Sequence, residues 1–78
     1  MKTIQIYTTR SCPFCDLAKR LLKDRGLDFE EIDVTDADKK AALKAKTGWR
    51  TVPQIFIEGK LIGGYQELVK MDREGKLK

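Results

Sequence analysis

Residues 2–26 read KTIQIYTTRSCPFCDLAKRLLKDRG, and this stretch decides the fold. Lys2 to Thr8 alternates Ile4 and Ile6 with polar neighbours and adds Tyr7, the pattern of a half-buried strand. Thr9 to Ser11 are polar and turn the chain. From Pro13 to about Arg25, Leu17, Leu21 and Leu22 recur at helical spacing. Ser11 or Cys12 caps that helix. Pro13 suits its first turn, where a backbone N–H has no partner to lose. Gly26 closes it as a left-handed cap residue.

Outward from this unit, Leu27 to Val34 reads as a second strand, with Phe29 and Ile32 facing the core. Asp36 caps a second helix that runs to about Thr47 and ends at Gly48. That helix is rich in alanine and lysine, so it lies on the surface with a narrow buried stripe. Val52 to Ile57 is an apolar run of strand type, Glu58-Gly59 is a two-residue hairpin signal, and Lys60 to Ile62 returns. Gly63-Gly64 breaks the chain before a last helix, Tyr65 to Glu74, that packs Leu68, Val69 and Met71. The first two strands are joined through a helix, which implies a parallel pair with a right-handed crossover. The last two form an antiparallel hairpin. The expected fold is α/β, a four-stranded mixed sheet with three helices in the order βαβαββα, forming one domain over residues 1–78.

Composition narrows the chemistry. At 78 residues the chain supports one small core, burying only about 60–65% of its unfolded surface. With 41% hydrophobic residues and charges of both signs, it is not a disordered chain. There is no histidine, which excludes imidazole bases, Ser-His-Asp and Cys-His machinery and histidine metal ligation. The net charge of +4 arises from 16 basic and 12 acidic residues spread along the chain, which reads as solvated surface rather than a nucleic-acid footprint. No stretch approaches the roughly 18 apolar residues of a membrane helix. The chain opens on strand alternation rather than an apolar leader, so a cytoplasmic protein is expected.

The chemistry-bearing motif is Cys12-Pro13-Phe14-Cys15. Two intervening residues place both sulfurs within reach of one disulfide across the first helical turn. Cys12 lies at the helix N-terminus, where unpaired N–H groups and the macrodipole favour an anion. That anion is the thiolate, the nucleophile of disulfide exchange. Cys15 lies one turn in, closer to the sheet and less exposed. The geometry therefore makes Cys12 the attacking thiol and Cys15 the resolving one. The competing readings are a pair of inert core cysteines and half of a zinc site, which requires two more ligands from a second chain. At the start of a βαβ unit in a cytosolic protein, redox chemistry is favoured.

Three motifs in order, Cys12-Pro13-Phe14-Cys15, Thr51-Val52-Pro53 before a strand and Gly63-Gly64 before the last helix, resemble the glutaredoxins. The resemblance covers the chain from Ile4 to the last helix. It implies a minimal thioredoxin-like fold and disulfide reduction with glutathione as reducing co-substrate. It implies no metal and no tightly bound cofactor. It also implies a cis bond between Val52 and Pro53, leaving the Val52 backbone to pair with an extended peptide such as glutathione. Gly64 and the helix after it would hold the γ-glutamyl end. Phe14 takes the place of the family's usual tyrosine. Arg50, beside Thr51, either pairs with a glutathione carboxylate or is a solvated arginine. The sequence departs from the family's pattern at Thr9, where a lysine is common and Arg10 is the nearest base. It departs again at Tyr65 and Gln66, where a small and then an acidic or serine residue is usual. Trp49 is either a core anchor or a contact for a protein partner.

The function implied is thiol–disulfide oxidoreduction by a monomer whose partners are glutathione and disulfide-bonded or glutathionylated proteins, with no nucleic acid or membrane involved. Two alternatives stay open. One is a glutaredoxin-like hydrogen donor to ribonucleotide reductase, reduced by thioredoxin reductase. The other is a glutathione-bridged iron–sulfur module with Cys12 from each of two chains, against which Pro13 argues, because dedicated cluster carriers of this family prefer glycine there.

Overall fold

The computed structural model of the chain describes residues 3–49 and 51–77. Strand β1 spans Ile4–Thr8, helix α1 Pro13–Asp24, β2 Glu30–Asp33, α2 Ala37–Thr47, β3 Gln54–Ile57, β4 Lys60–Gly63 and α3 Tyr65–Arg73. The sheet order is β2-β1-β3-β4. β1 and β2 run parallel, and β1–β3 and β3–β4 are antiparallel. The mixed sheet, the three helices and their order agree with the sequence reading.

Two-residue alternation in β1 sorts the side chains by face. Ile4 and Ile6 are buried opposite Ile57 and Ile55 of β3. They join Ala18 and Leu22 of α1 and Leu68 of α3 in one core cluster. The other face carries Tyr7 and Phe56, whose rings meet edge-on at 5.4 Å, and Gln54, paired with Tyr7. The C-terminal end of α2 reaches this second face through Thr47, which bonds Gln54. α2 buries only Leu43, the narrow stripe expected of it.

The helix ends follow local chemistry. Arg25 caps α1, and Gly26 and Leu27 donate to the carbonyls of Lys23 and Leu22, both at 3.0 Å. This closing turn consumes Leu27, so β2 begins at Glu30 rather than Leu27. The expected core pair of β2 is also displaced: Phe29 and Ile32 are half-buried, and Val34 is the buried residue there. The same turn ends α3, where Gly75 and Lys76 donate to Asp72 and Met71. Leu77 then folds back into the core with 1% exposure. No apolar periodicity marks an isolated leucine between lysines, and the sequence reading missed it. Arg25 also holds Asp72 through two bonds of 2.7 and 2.8 Å, tying α1 to α3. Leu17, expected on the apolar stripe of α1, is 41% exposed. Among the described residues, no helix is long and apolar enough to cross a membrane.

Candidate active site

Cys12 is the N-cap residue of α1, with extended backbone angles, and Pro13 opens the helix behind it. The Cys15 N–H donates to Cys12 Sγ at 3.1 Å. This is the capping role usually filled by a serine or aspartate oxygen, here filled by sulfur. The two sulfurs form a disulfide, with the Cα atoms 5.2 Å apart. Cys12 retains 8% exposure and Cys15 only 1%, so the outer sulfur is Cys12. On reduction, negative charge on Cys12 would sit against a helix N-terminus and an N–H already aimed at it. Both effects lower a thiol pKa.

The loop carrying Cys12 is held from the end of β2. Val34 N–H donates to the Thr8 carbonyl at 2.8 Å, and Arg10 N–H donates to Thr35 Oγ1 at 3.0 Å. Thr35 N–H in turn donates to Asp33 Oδ1 at 2.7 Å. Hydrogen bonding from Thr35, aided by the Arg10 charge, holds the Asp33 carboxyl below its usual range. One strand earlier, the buried Thr8 hydroxyl and Lys19 both donate to Glu31 Oε2, at 2.8 and 2.9 Å. Lys19 first and Thr8 second hold the Glu31 carboxyl below its usual range.

Facing the disulfide is the segment before β3. The Val52–Pro53 bond is cis, as the family resemblance implied. Cys12 Sγ lies 3.6 Å from the Val52 carbonyl oxygen, a distance at which a thiol would donate. The ladder with β1 begins only at Gln54, two residues later than the apolar run suggested. Pro53 has no N–H to contribute to it. Val52 therefore lies outside the ladder, beside the sulfur.

A groove of about 310 Å³ runs from this edge to α3. Thr51, Val52 and Pro53 form one wall, and Gly64, Tyr65 and Gln66 form the other. Phe14, 55% exposed, overhangs one end, its ring centroid 5.9 Å from that of Tyr65. Seven of the nine residues singled out for peptide binding thus line one groove. Arg10 does not line it, and its charge acts on Asp33 instead. Arg50 lies outside the described residues.

Two further residues shape the groove, and the sequence reading gave them no role there. Glu67 Oε1 accepts from the Gly64 N–H at 2.8 Å, so the N–H of the N-cap residue before α3 is bound by the helix's own carboxylate. A glutamate three residues after the N-cap, the acidic half of a capping box, is the signal that would have found it. Trp49, half-buried, closes the groove on its far side. Beyond its ring lies a second cavity of about 330 Å³, which Val52 and Gln54 share with Ala37, Lys40, Ala41, Leu43 and Lys44 of α2. Trp49 Nε1 is buried, with no hydrogen-bond partner among the described residues. Among those residues no group of three or more potential metal ligands gathers.

The site so assembled is a disulfide whose less buried cysteine caps a helix N-terminus, with a peptide-sized groove beside it. The family model described as Glutaredoxin matches residues 4–62. Glutaredoxin 3 of Escherichia coli K12 is 40% identical over 78 residues, covering 99% of this chain and 94% of its own. Glutaredoxin 1 of Rickettsia conorii is 41% identical over 80 residues, covering 99% and 78%. Among solved structures, a buckwheat glutaredoxin–glutathione complex superposes with TM-score 0.87 at 34% identity, over 97% of this chain and 73% of that one. Glutaredoxin 1 from Francisella tularensis, complexed with cacodylate, gives TM-score 0.87 at 28% identity over 100% of both chains. With the fold, the Cys12–Cys15 disulfide and these relatives in agreement, the chain belongs to the glutaredoxin family, the glutathione-dependent thiol–disulfide oxidoreductases.

Proposed function

We propose that the chain, acting as one domain and as a monomer, reduces protein disulfides and protein–glutathione mixed disulfides in the cytoplasm, where the glutathione pool is reducing. The Cys12 thiolate attacks one sulfur of the substrate disulfide. A new S–S bond forms, and the other substrate sulfur leaves as a thiolate and takes a proton. Cys15, deprotonated, then attacks Cys12 Sγ and releases the second substrate thiol. This leaves the Cys12–Cys15 disulfide and a substrate reduced by two electrons. Two glutathione molecules return those electrons. The first forms a mixed disulfide with Cys12, and the second attacks it, leaving as oxidised glutathione. The observation that carries this reading is the asymmetry of the pair. Cys12, the N-cap, accepts the Cys15 N–H and lies 3.6 Å from the carbonyl of the groove residue Val52, while Cys15 is 1% exposed.

Glutathione is placed in the groove with its cysteine beside Val52 and its γ-glutamyl end at α3, among Gly64, Tyr65 and Gln66. Thr51, Pro53 and Phe14 flank it. Arg50 pairs with one of its carboxylates, and Arg10, which does not line the groove, has no part in holding it. The Glu67 carboxylate at the start of α3 opposes an incoming carboxylate there and favours a cationic amine. That opposition supports a second reading, a protein re-reduced by thioredoxin reductase and donating to a large disulfide substrate such as ribonucleotide reductase.

A pH series of alkylation rates on reduced protein tests the assignment of roles. Cys12 should titrate within about 3.5–7.5, the range of thiols at helix N-termini, and Cys15 higher. Faster alkylation of Cys15 near neutral pH refutes it. Cys15→Ser should retain deglutathionylation and lose release of mixed protein disulfides, whereas Cys12→Ser should lose both. Oxidised protein offered glutathione with glutathione reductase, or thioredoxin reductase alone, separates the two readings through NADPH consumption.

A further inference from the structure

Trp49, Thr51, Val52 and Pro53, between α2 and β3, line the groove, and a buried side-chain clamp holds Trp49. Gln54 is 2% exposed, an amide at the start of a strand where an apolar residue would pack without needing partners. Its Nε2 donates to the Trp49 carbonyl at 3.0 Å, and its Oε1 lies 3.0 Å from Thr47 Oγ1. Thr47 Oγ1 accepts from the Trp49 N–H at 3.1 Å and also lies 3.0 Å from the Leu43 carbonyl. A hydroxyl has one proton to give. The Leu43 carbonyl already has an i+4 N–H acceptor role in the helix. The proton therefore goes to Gln54 Oε1, which would otherwise be buried without a donor. The opposite amide orientation would set Oε1 against the Trp49 carbonyl, acceptor against acceptor. Both backbone polar groups of Trp49 are thus tied, one to Thr47 and one to Gln54.

Neither clamp residue lines the active groove, but what they hold does. The Trp49 ring walls the groove, and a Cβ built on Gly64 of the opposite wall would lie 4.0 Å from its Cζ2. Val52, between Trp49 and Gln54, places its carbonyl 3.6 Å from Cys12 Sγ. We propose that Gln54 and Thr47 are positioning residues for the disulfide-exchange reaction: they fix Trp49 and Val52 at the width and height that admit the peptide attached to the substrate sulfur. The proposal rests on the groove reading above.

The test uses Gln54→Leu, Thr47→Val and Thr47→Ser in the full chain, with a glutathionylated peptide as substrate. Trp49 is the single tryptophan, so its emission reports directly on the wall. Gln54→Leu and Thr47→Val should raise KM about tenfold, because a wall freed from its clamp occupies the peptide-admitting position only about a tenth of the time. Both should leave kcat within about twofold and the Cys12 alkylation rate at the parent value. Both should shift Trp49 emission to the red. Thr47→Ser, which keeps the hydroxyl, should match the parent in every measurement. Parent KM and parent emission in folded Gln54→Leu and Thr47→Val overturn the proposal. So does a Thr47→Ser as impaired as Thr47→Val, or an alkylation rate that falls as KM rises. If Gln54→Leu does not fold, the two Thr47 variants decide alone. Absent glutathione-dependent turnover by the parent would sink the proposed function, and Trp49 emission would still judge the clamp.

Discussion

Gly63 ends β4 with φ +126°, and a Cβ built there would lie 2.6 Å from Glu67 Cγ, 2.9 Å from Glu67 Cβ and 2.9 Å from Glu67 Oε1. Gly63→Ala therefore meets two separate penalties. The backbone conformation costs a non-glycine residue about 1–3 kcal/mol. The clash displaces the Glu67 side chain, which breaks its 2.8 Å bond from the Gly64 N–H. A bond of that kind contributes about 1 kcal/mol net. The sum is roughly 3 kcal/mol, a large part of the about 5–15 kcal/mol expected for a whole domain. At about 4–8 °C per kcal/mol for a chain of this size, Tm should fall by about 12–24 °C. The assay is thermal unfolding of the oxidised protein followed by far-UV circular dichroism, repeated in a Glu67→Ala background. Removing Glu67 Cγ and Oε1 relieves the closest contact and leaves the backbone strain and the 2.9 Å approach to Cβ. Gly63→Ala should then cost about 1 kcal/mol less in that background. A melt within about 2 °C of the parent, or an equal cost in both backgrounds, would refute the claim that close approach of Glu67 is what demands a glycine.

Phe14→Ala should raise KM for a glutathionylated peptide about two- to tenfold, since the exposed ring at the groove covers part of its apolar surface when the peptide binds, worth about 0.5–1.5 kcal/mol. Its Tm should stay near the parent, because Phe14 is 55% exposed, and steady-state kinetics beside a melt check both parts. Leu22→Ala, at 0% exposure in the core, should cost about 2–5 kcal/mol in urea unfolding. The Glu31 carboxyl has a folded pKa below its ordinary value of 4.5, first through Lys19 and then through Thr8. Its stabilisation is therefore fully present above that ordinary value and lost as pH falls through the folded pKa. Urea midpoints measured from pH 6 to pH 2 should fall less steeply for Glu31→Gln than for the parent, and parallel curves would contradict this.

Elements whose ends carry their own chemistry were legible in the chain. Pro13 and Gly26 bracketed α1, Asp36 and Gly48 bracketed α2, and Glu58-Gly59, with φ of +54° and +78°, made the hairpin turn that such a pair favours. The redox centre was legible for the same reason: one strand–helix junction holds both cysteines and the N–H that serves them. Boundaries set by neighbours were misjudged. Leu27 closes α1 instead of opening β2, and Leu77 is buried although lysines flank it.

The junction at residues 12–15 needs only contacts within one helical turn, so its chemistry followed from residue order. The groove beside it needs Val52, Trp49, Gly64 and Glu67, which come from segments with no shared pattern. Sheet order β2-β1-β3-β4 sets β3 in the centre, beside β1, and this carries Val52 to the end of α1 and α3 to the opposite wall. The partners of Gln54 and the exclusion of Arg10 from the groove were likewise decided by packing. Each depends on which polar group lies within 3 Å of another after the apolar face of the sheet is covered. Local propensity carries no term for such distances, because long-range hydrogen bonds form only where burial leaves a donor one available acceptor.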